Sequence, residues 1–174
     1  MANRAFRAVW GAAWLLFAAW TPAPFHRWRA FVLRCFGATI DRTARVYGSC
    51  RIWYPPNLRL ESHACLGPQV ICYCMAPITV GARAIVSQGA HLCAGSHDID
   101  DGSFQLVSKP IAIGADAWVA AQAFIGPGVS IGERAVIGAR GVLFKDAEPG
   151  GVYVGNPAKL VRQRKLACYD RLRD

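Results

Sequence analysis

Residues 113–147 read IGADAWVAAQAFIGPGVSIGERAVIGARGVLFKDA and carry a six-residue repeat. Ile113, Val119, Ile125, Ile131, Ile137 and Leu143 follow one another at a spacing of six. The next position holds Gly114, Ala120, Gly126, Gly132 and Gly138 before Phe144 breaks the run. Four residues after each aliphatic stand Ala117, Ala123, Val129, Ala135, Gly141 and Ala147. A helix would turn through about 600° between the aliphatics and scatter them over different faces. A solenoid of short strands and turns points each of them inward. Three units make a coil of about 18 residues, and stacked coils bury one continuous core. The small residues at the fifth position suit crowded corners.

Upstream the pattern returns in other phases. Ile40, Val46, Ile52 and Leu58 form one run, Leu60, Leu66, Cys72 and Ile78 a second, and Val80, Val86 and Leu92 a third. Each change of phase implies a short insertion at a corner. The long break lies between Leu92 and Ile113, where the polar string HDIDDGSFQLVSK (97–109) reads as a loop thrown out of the solenoid. Loops held on a rigid scaffold often carry function. The organisation expected is an N-terminal helical segment (1–38), an all-β solenoid (39–154) with a loop at 98–109, and a tail (155–174). The tail segment KLVRQRKLACYDRLRD (159–174) reads as a short helix.

Composition agrees. A chain of 174 residues supports one domain with small attachments. With 53% hydrophobic residues it can offset its ordering entropy, which excludes a mainly disordered chain. Only 18% of residues are charged, against 17 Gly and 10 Pro, which argues against a coiled coil or simple bundle. Lys and Arg exceed Asp and Glu by 20 to 11, giving a net charge of +9 and suggesting an anionic partner: nucleic acid, a membrane surface or a polyphosphate cofactor. The basic residues are dispersed and lack a recognition helix or RNA-binding signature, so nucleic acid is disfavoured. The seven cysteines include no CxxC pair and read as reduced thiols of a cytosolic protein.

The N-terminus leaves two readings open. Residues 8–25 carry no formal charge, but as a span the run is short and ends at Pro22 and Pro24. It looks partly like a signal peptide. Trp10, Trp14, Phe17 and Ala18 share a helical face. Pro24 opens a second helix over 25–36, ended by Gly37, with Phe25, Trp28, Phe31, Val32 and Cys35 on one side and Arg27, Arg29 and Arg34 supplying charge. The pair is either a cap packed on the solenoid or an interfacial pair resting on a membrane, at the inner face for a cytoplasmic protein.

The hexads resemble those of the hexapeptide-repeat acyltransferases. More closely, IWYPPNL (52–58), APITVGARAIVSQGAHLCAGSHD (76–98), residues 109–146 and GNPAKLV (155–161) resemble the colanic-acid-biosynthesis-type acetyltransferases. The resemblance implies a left-handed parallel β-helix, a homotrimer with active sites between subunits, and acetyl-CoA as acyl donor. It also implies transfer to a sugar hydroxyl of a surface-polysaccharide precursor; with no metal-ligand spacing among the Cys and His residues, no metal is expected.

Such transfer needs a base for the acceptor proton, and histidine has a pKa near neutrality. Of the four histidines, His26 lies among arginines, and His63 has nothing chemical beside it. His91 and His97 share the sixth position of consecutive hexads, which places them on adjacent faces. His97 stands where the solenoid gives way to the loop, and its SHD setting matches the family's general base. Asp98, Asp100 and Asp101 are nearby, and a carboxylate on the other ring nitrogen would fix its tautomer. Asp98 matches an element that touches the acceptor in the family, with a turn carboxylate as the other reading. Related enzymes have an asparagine that aligns with Cys74, so Cys74 is also placed at the acceptor. By resemblance Trp118 and Ala121 line the thioester end of the cofactor, Ala139 and Arg140 follow the pantetheine arm, and Lys145, Lys159 and Arg162 face the phosphates. No serine or cysteine nucleophile has a base in the pattern, so direct attack by the acceptor is the simpler course. Transfer to an amino sugar, serine or an antibiotic-like molecule is the main alternative. A zinc solenoid of carbonic anhydrase type, using His91 and His97, is a further one.

Overall fold

The computed structural model describes residues 2–165. Two helices, α1 (Ala2–Phe17) and α2 (His26–Cys35), precede short parallel strands wound into a three-sided β-helix. Successive hexads fall on sheets one, two and three in turn. Ile40, Leu60, Val80, Ile113 and Ile131 stack in sheet one. Val46, Leu66, Val86, Val119, Ile137 and Tyr153 stack in sheet two. Ile52, Cys72, Leu92, Ile125 and Leu143 stack in sheet three. All of them are buried, so the aliphatics of the repeat form one core along the prism axis. Each Leu or Ile withdrawn from water contributes about 1.5–3 kcal/mol, and no sheet needs a face of its own to be stable.

The corners have a backbone reason for their composition. Ahead of most of the inward small residues stands one in the left-handed region, such as Asp116 (φ 57°), Gln122 (φ 58°) and Arg134 (φ 59°) before Ala117, Ala123 and Ala135. Such a conformation costs about 1–2 kcal/mol in a residue with a Cβ. It is offset by main-chain bonds to the preceding coil, Asp116 N to Ala82 O and Arg134 N to Ala115 O among them. Gly114 and Gly132 stand where the next coil passes. A Cβ there would lie 2.6 Å from Glu133 N and 2.5 Å from Pro149 N, so neither position accepts a side chain.

Coil length varies at one edge only. Corner positions that bond coil to coil are 20 residues apart in the early coils, 33 across the excursion and 18 after it, shortening to 16 in the last. The surplus falls each time between sheet three and sheet one. It is the 3₁₀ turn Pro55–Asn57 in the first coil and a long hairpin in the third. That hairpin pairs Gly95–His97 antiparallel with Leu106–Ser108, so it leaves the solenoid at Gly95, before the expected loop at 98–109.

At the C-terminal end Gly151–Gly155 joins sheet two, and the chain returns as the antiparallel strand Ala158–Gln163. The helix expected over 159–174 is therefore a strand at its start. Its remainder, with Leu166, Cys168, Tyr169 and Leu172, lies outside the described residues.

The helices cap the first coil. Trp10 Nε1 donates to Ile52 O at 2.7 Å and Trp14 Nε1 to Gly48 O at 3.1 Å, which seats α1 on the first coil. Trp10, Trp14 and Ala18 are buried as the periodicity predicts, whereas Phe17 is exposed. In α2 the expected face holds only at Val32. Arg29, Ala30, Val32 and Leu33 turn inward, while Phe25, Trp28, Phe31 and Cys35 are exposed. Arg29 is the cause, because its guanidinium finds partners only inside. Nε donates to Val46 O, Nη1 to Thr21 O, Thr21 Oγ1 and Pro22 O, and Nη2 to Ala23 O.

Candidate active site

His97 projects on the hairpin at the edge between sheets three and one, opposite Leu106 in the register. Its Nδ1 lies 2.8 Å from the carbonyl oxygen of Phe104. A carbonyl can only accept, so the hydrogen sits on Nδ1 and Nε2 keeps its lone pair. The imidazole also stacks on the Phe104 ring, with centroids 4.4 Å apart and planes 7° from parallel. Phe104 has φ 50°, a strained value for an aromatic residue, and its N–H is held by Asp101 O at 2.8 Å. The strained turn thus aims one carbonyl at the base and lays one ring against it. In Phe104→Asn, which tolerates the left-handed backbone but deletes the ring, turnover is expected to fall about tenfold or more through misplacement of His97. Steady-state kinetics should give an unchanged KM for the acyl donor.

The neighbouring carboxylates do other work. Asp98 Oδ1 accepts from Asp100 N, and Asp101 accepts from the Ser103 N–H and hydroxyl. These bonds build the hairpin tip. A main-chain carbonyl, and none of the three nearby carboxylates, fixes the His97 tautomer.

Beside the hairpin lies a cleft of about 320 Å³ lined by Arg7, Trp53, Asn57, Tyr73, Met75 and Leu106, with Cys74 in its wall. Cys74 is fully buried, and its thiol is engaged with the N–H and carbonyl of Tyr54. Burial pushes that thiol up to about 11 and the Cys50 thiol up to about 12, so neither supplies a thiolate near neutrality. The polar group at this spot is Asn57, whose Nδ2 donates to the carbonyls of Cys74 and Met75. Arg7 lies over the Trp53 ring at 4.1 Å. None of these residues stands out by period, because each sits at the irregular edge or on the helical cap.

His91 is not His97's neighbour on a solenoid face. It sits half-buried in sheet three, edge-on to Phe124, and burial pulls its pKa below the usual imidazole range. His63 occupies a corner between sheets one and two. Among the described residues no three His, Cys, Asp or Glu side chains gather as a metal site would require.

Most residues placed along the cofactor lie elsewhere on the prism. Trp118 stands exposed on sheet two, its Nε1 donating to Ser87 Oγ. Ala121, Ala139 and Arg140 stack at the edge between sheets two and three, where Arg140 N bonds Ala121 O and Arg140 Nε reaches Gln122 Oε1 at 2.7 Å. Lys159 extends that side on the terminal hairpin, opposite Val154, and Arg162 lies further along opposite Val152. Lys145 follows sheet three at the other edge, the one that carries His97. The two groups are separated by the width of sheet three.

No protein-family model matches the chain. It is 41% identical over 156 residues to the Escherichia coli K12 protein provisionally named colanic acid biosynthesis acetyltransferase WcaF, across 90% of this chain and 86% of that one. The chain belongs to the WcaF family of hexapeptide-repeat acetyltransferases. Within the family's fold, a solved hexapeptide-repeat acetyltransferase of Vibrio cholerae superposes with a TM-score of 0.83 at 25% identity, covering 95% of this chain and 94% of that one. A maltose O-acetyltransferase of Clostridium difficile 630 gives 0.82 at 24% identity, with 95% and 90% covered. The fold shared with these acetyltransferases is the left-handed parallel β-helix. The repeat is legible in this chain as the stacked inward aliphatics, and the run Ser96–His97–Asp98 lies on the hairpin.

Proposed function

We propose that this acetyltransferase moves the acetyl group of acetyl-CoA to a sugar hydroxyl of a surface-polysaccharide precursor, with His97 as general base. The observation that carries the reading is the Phe104 carbonyl on His97 Nδ1, which leaves Nε2 free to take a proton. The acceptor oxygen attacks the thioester carbon, a C–O bond forms and the C–S bond breaks. The hydroxyl proton passes to Nε2 and from there to the departing thiolate of CoA. The raised thiols of Cys50 and Cys74 favour this direct attack over an acyl-enzyme. The relatives support the substrate class: one is named for colanic acid biosynthesis, and the solved galactoside acetyltransferase is in complex with coenzyme A.

The site is completed between copies in this reading. One chain offers His97 and Lys145 on one edge, and Trp118, Ala121, Ala139, Arg140, Lys159 and Arg162 on or beside another. A trimer that sets the first edge of one copy against the second edge of the next closes a groove for the pantetheine arm, with basic side chains for the phosphates. Asp98 and the cleft walled by Cys74 then border the acceptor. The chain works in the cytoplasm, at the inner face of the membrane.

A thiol-release assay with acetyl-CoA and a panel of sugars, amino sugars, serine and chloramphenicol tests the reading. Hydroxyl-bearing sugars are expected to release CoA fastest, without a burst of acylated enzyme. Turnover confined to amino acceptors, or a stoichiometric burst, would overturn it.

A further inference from the structure

We infer that the outer face of the α1–α2 corner is a docking surface for an anionic lipid bilayer. Six large apolar side chains, Leu16, Phe17, Trp20, Phe25, Trp28 and Phe31, stand exposed on it, Trp20 at 73% and Leu16 at 65%. Between the rings of Phe17, Trp20, Phe25 and Trp28 lies an apolar notch of about 300 Å³. A soluble surface seldom gathers so much apolar area without a partner.

Two features identify the partner as lipid. The first is the state of the indoles. Trp20 Nε1 donates to Leu16 O and Trp28 Nε1 to Phe17 O, at 2.7 and 2.6 Å. An exposed tryptophan ordinarily gives that hydrogen to water and loses it on entering hydrocarbon. Here both rings can leave water with their hydrogen bonds intact. The second feature is charge. Residues 1–40 contain five arginines and no Asp or Glu. Arg27 stands exposed beside Trp28 and one turn from Phe31. Arg42 and Arg45, on the coil against which α2 packs, are exposed as well. The first carboxylate, Asp41, is occupied by the N–H and hydroxyl of Thr43. An apolar face rimmed by arginines matches the acyl boundary and phosphates of an anionic leaflet. No helix among the described residues is long and apolar enough to cross a membrane, so the contact is peripheral.

The surface is also continuous with the catalytic side. A groove of about 830 Å³ begins at Leu15, next to the patch, and reaches Trp53 and Tyr73. Those two residues also line the cleft that contains Leu106, the register partner of His97. Docking would hold the mouth of that groove at the lipid surface. The inference stands apart from the acceptor assignment, since it needs no turnover.

Flotation of the full chain, without acetyl-CoA, on vesicles of phosphatidylcholine alone or with about one-third phosphatidylglycerol tests it. The chain is expected to float with the anionic vesicles and to be released by salt. Binding should weaken by at least about tenfold in Trp20→Ser/Trp28→Ser and in Phe31→Ser, which breaks no hydrogen bond, and should fall in Arg27→Glu. Each variant should keep its melting temperature and its rate on a soluble sugar. A chain that stays down with both vesicle types overturns the docking, as does a double variant that floats like the parent. So does a loss of oligomer mass in the variants without any change in flotation, because the patch would then be a contact between copies. An inactive chain that floats would sink the proposed acceptor and leave the docking intact.

Discussion

In His97→Ala, turnover is expected to fall by about 10²–10⁴, the usual loss when an acid–base group is removed. His97 is exposed, and its ring hydrogen bond is to a carbonyl of its own hairpin. Fold and melting temperature should therefore hardly move, which separates a chemical role from a structural one. KM for acetyl-CoA should also hold, because the proposed cofactor residues, Lys145 apart, lie away from the edge that carries His97. His97→Gln is the sharper variant, since its amide could occupy the same space but cannot take a proton at neutral pH. Its rate should match that of the alanine variant within a few fold. Either variant retaining near-full activity would remove His97 from the mechanism.

Arg29→Leu should give the largest loss of stability, about 3–5 kcal/mol. The guanidinium is fully buried, with no carboxylate beside it, and donates to the carbonyls of Thr21, Pro22, Ala23 and Val46. Burial pulls its pKa down, yet an arginine stays charged. Leucine would leave the Thr21 and Ala23 carbonyls without a donor, while Pro22 O keeps the Phe25 N–H and Val46 O keeps His26 Nδ1. Each carbonyl that water cannot reach costs roughly 1–3 kcal/mol, offset in part because no cation is desolvated. Lysine should recover only a fraction, as one ammonium cannot span donors set in a planar fork. Denaturant titration at fixed protein concentration measures the loss. A Leu variant within 1 kcal/mol of the parent would show that water replaces the guanidinium.

The solenoid was legible because its signal is geometric. Inward aliphatics at a spacing of six leave no other regular structure, and the stacks from Ile40 to Ile131 and from Val46 to Ile137 follow from it. The helical cap was legible only in part. Trp10 and Trp14 behave as their period predicts, but the apolar stripe Phe25, Trp28 and Phe31 does not face the core. Its opposite side holds an arginine whose partners are main-chain carbonyls, and such partners leave no trace in side-chain patterning. The same blindness hid the His97 orienter. Asp98, Asp100 and Asp101 drew attention by residue type, whereas the Phe104 carbonyl has no signature at all. Asn57 escaped notice because it sits in an insertion, off the repeat. The cofactor residues were placed by resemblance, and their division between two edges needed coordinates.

The uneven coils have a further consequence. Two edges of the prism are locked, because every corner bonds to the one below and a single added residue would throw the stack out of step. The third edge has already absorbed a 3₁₀ turn in one coil and a fourteen-residue hairpin, Gly95–Ser108, in another while the stacks ran on unbroken. It works as a cassette slot. In the site proposed above, exchanging one insert there would change acceptor preference while the core stays as it is.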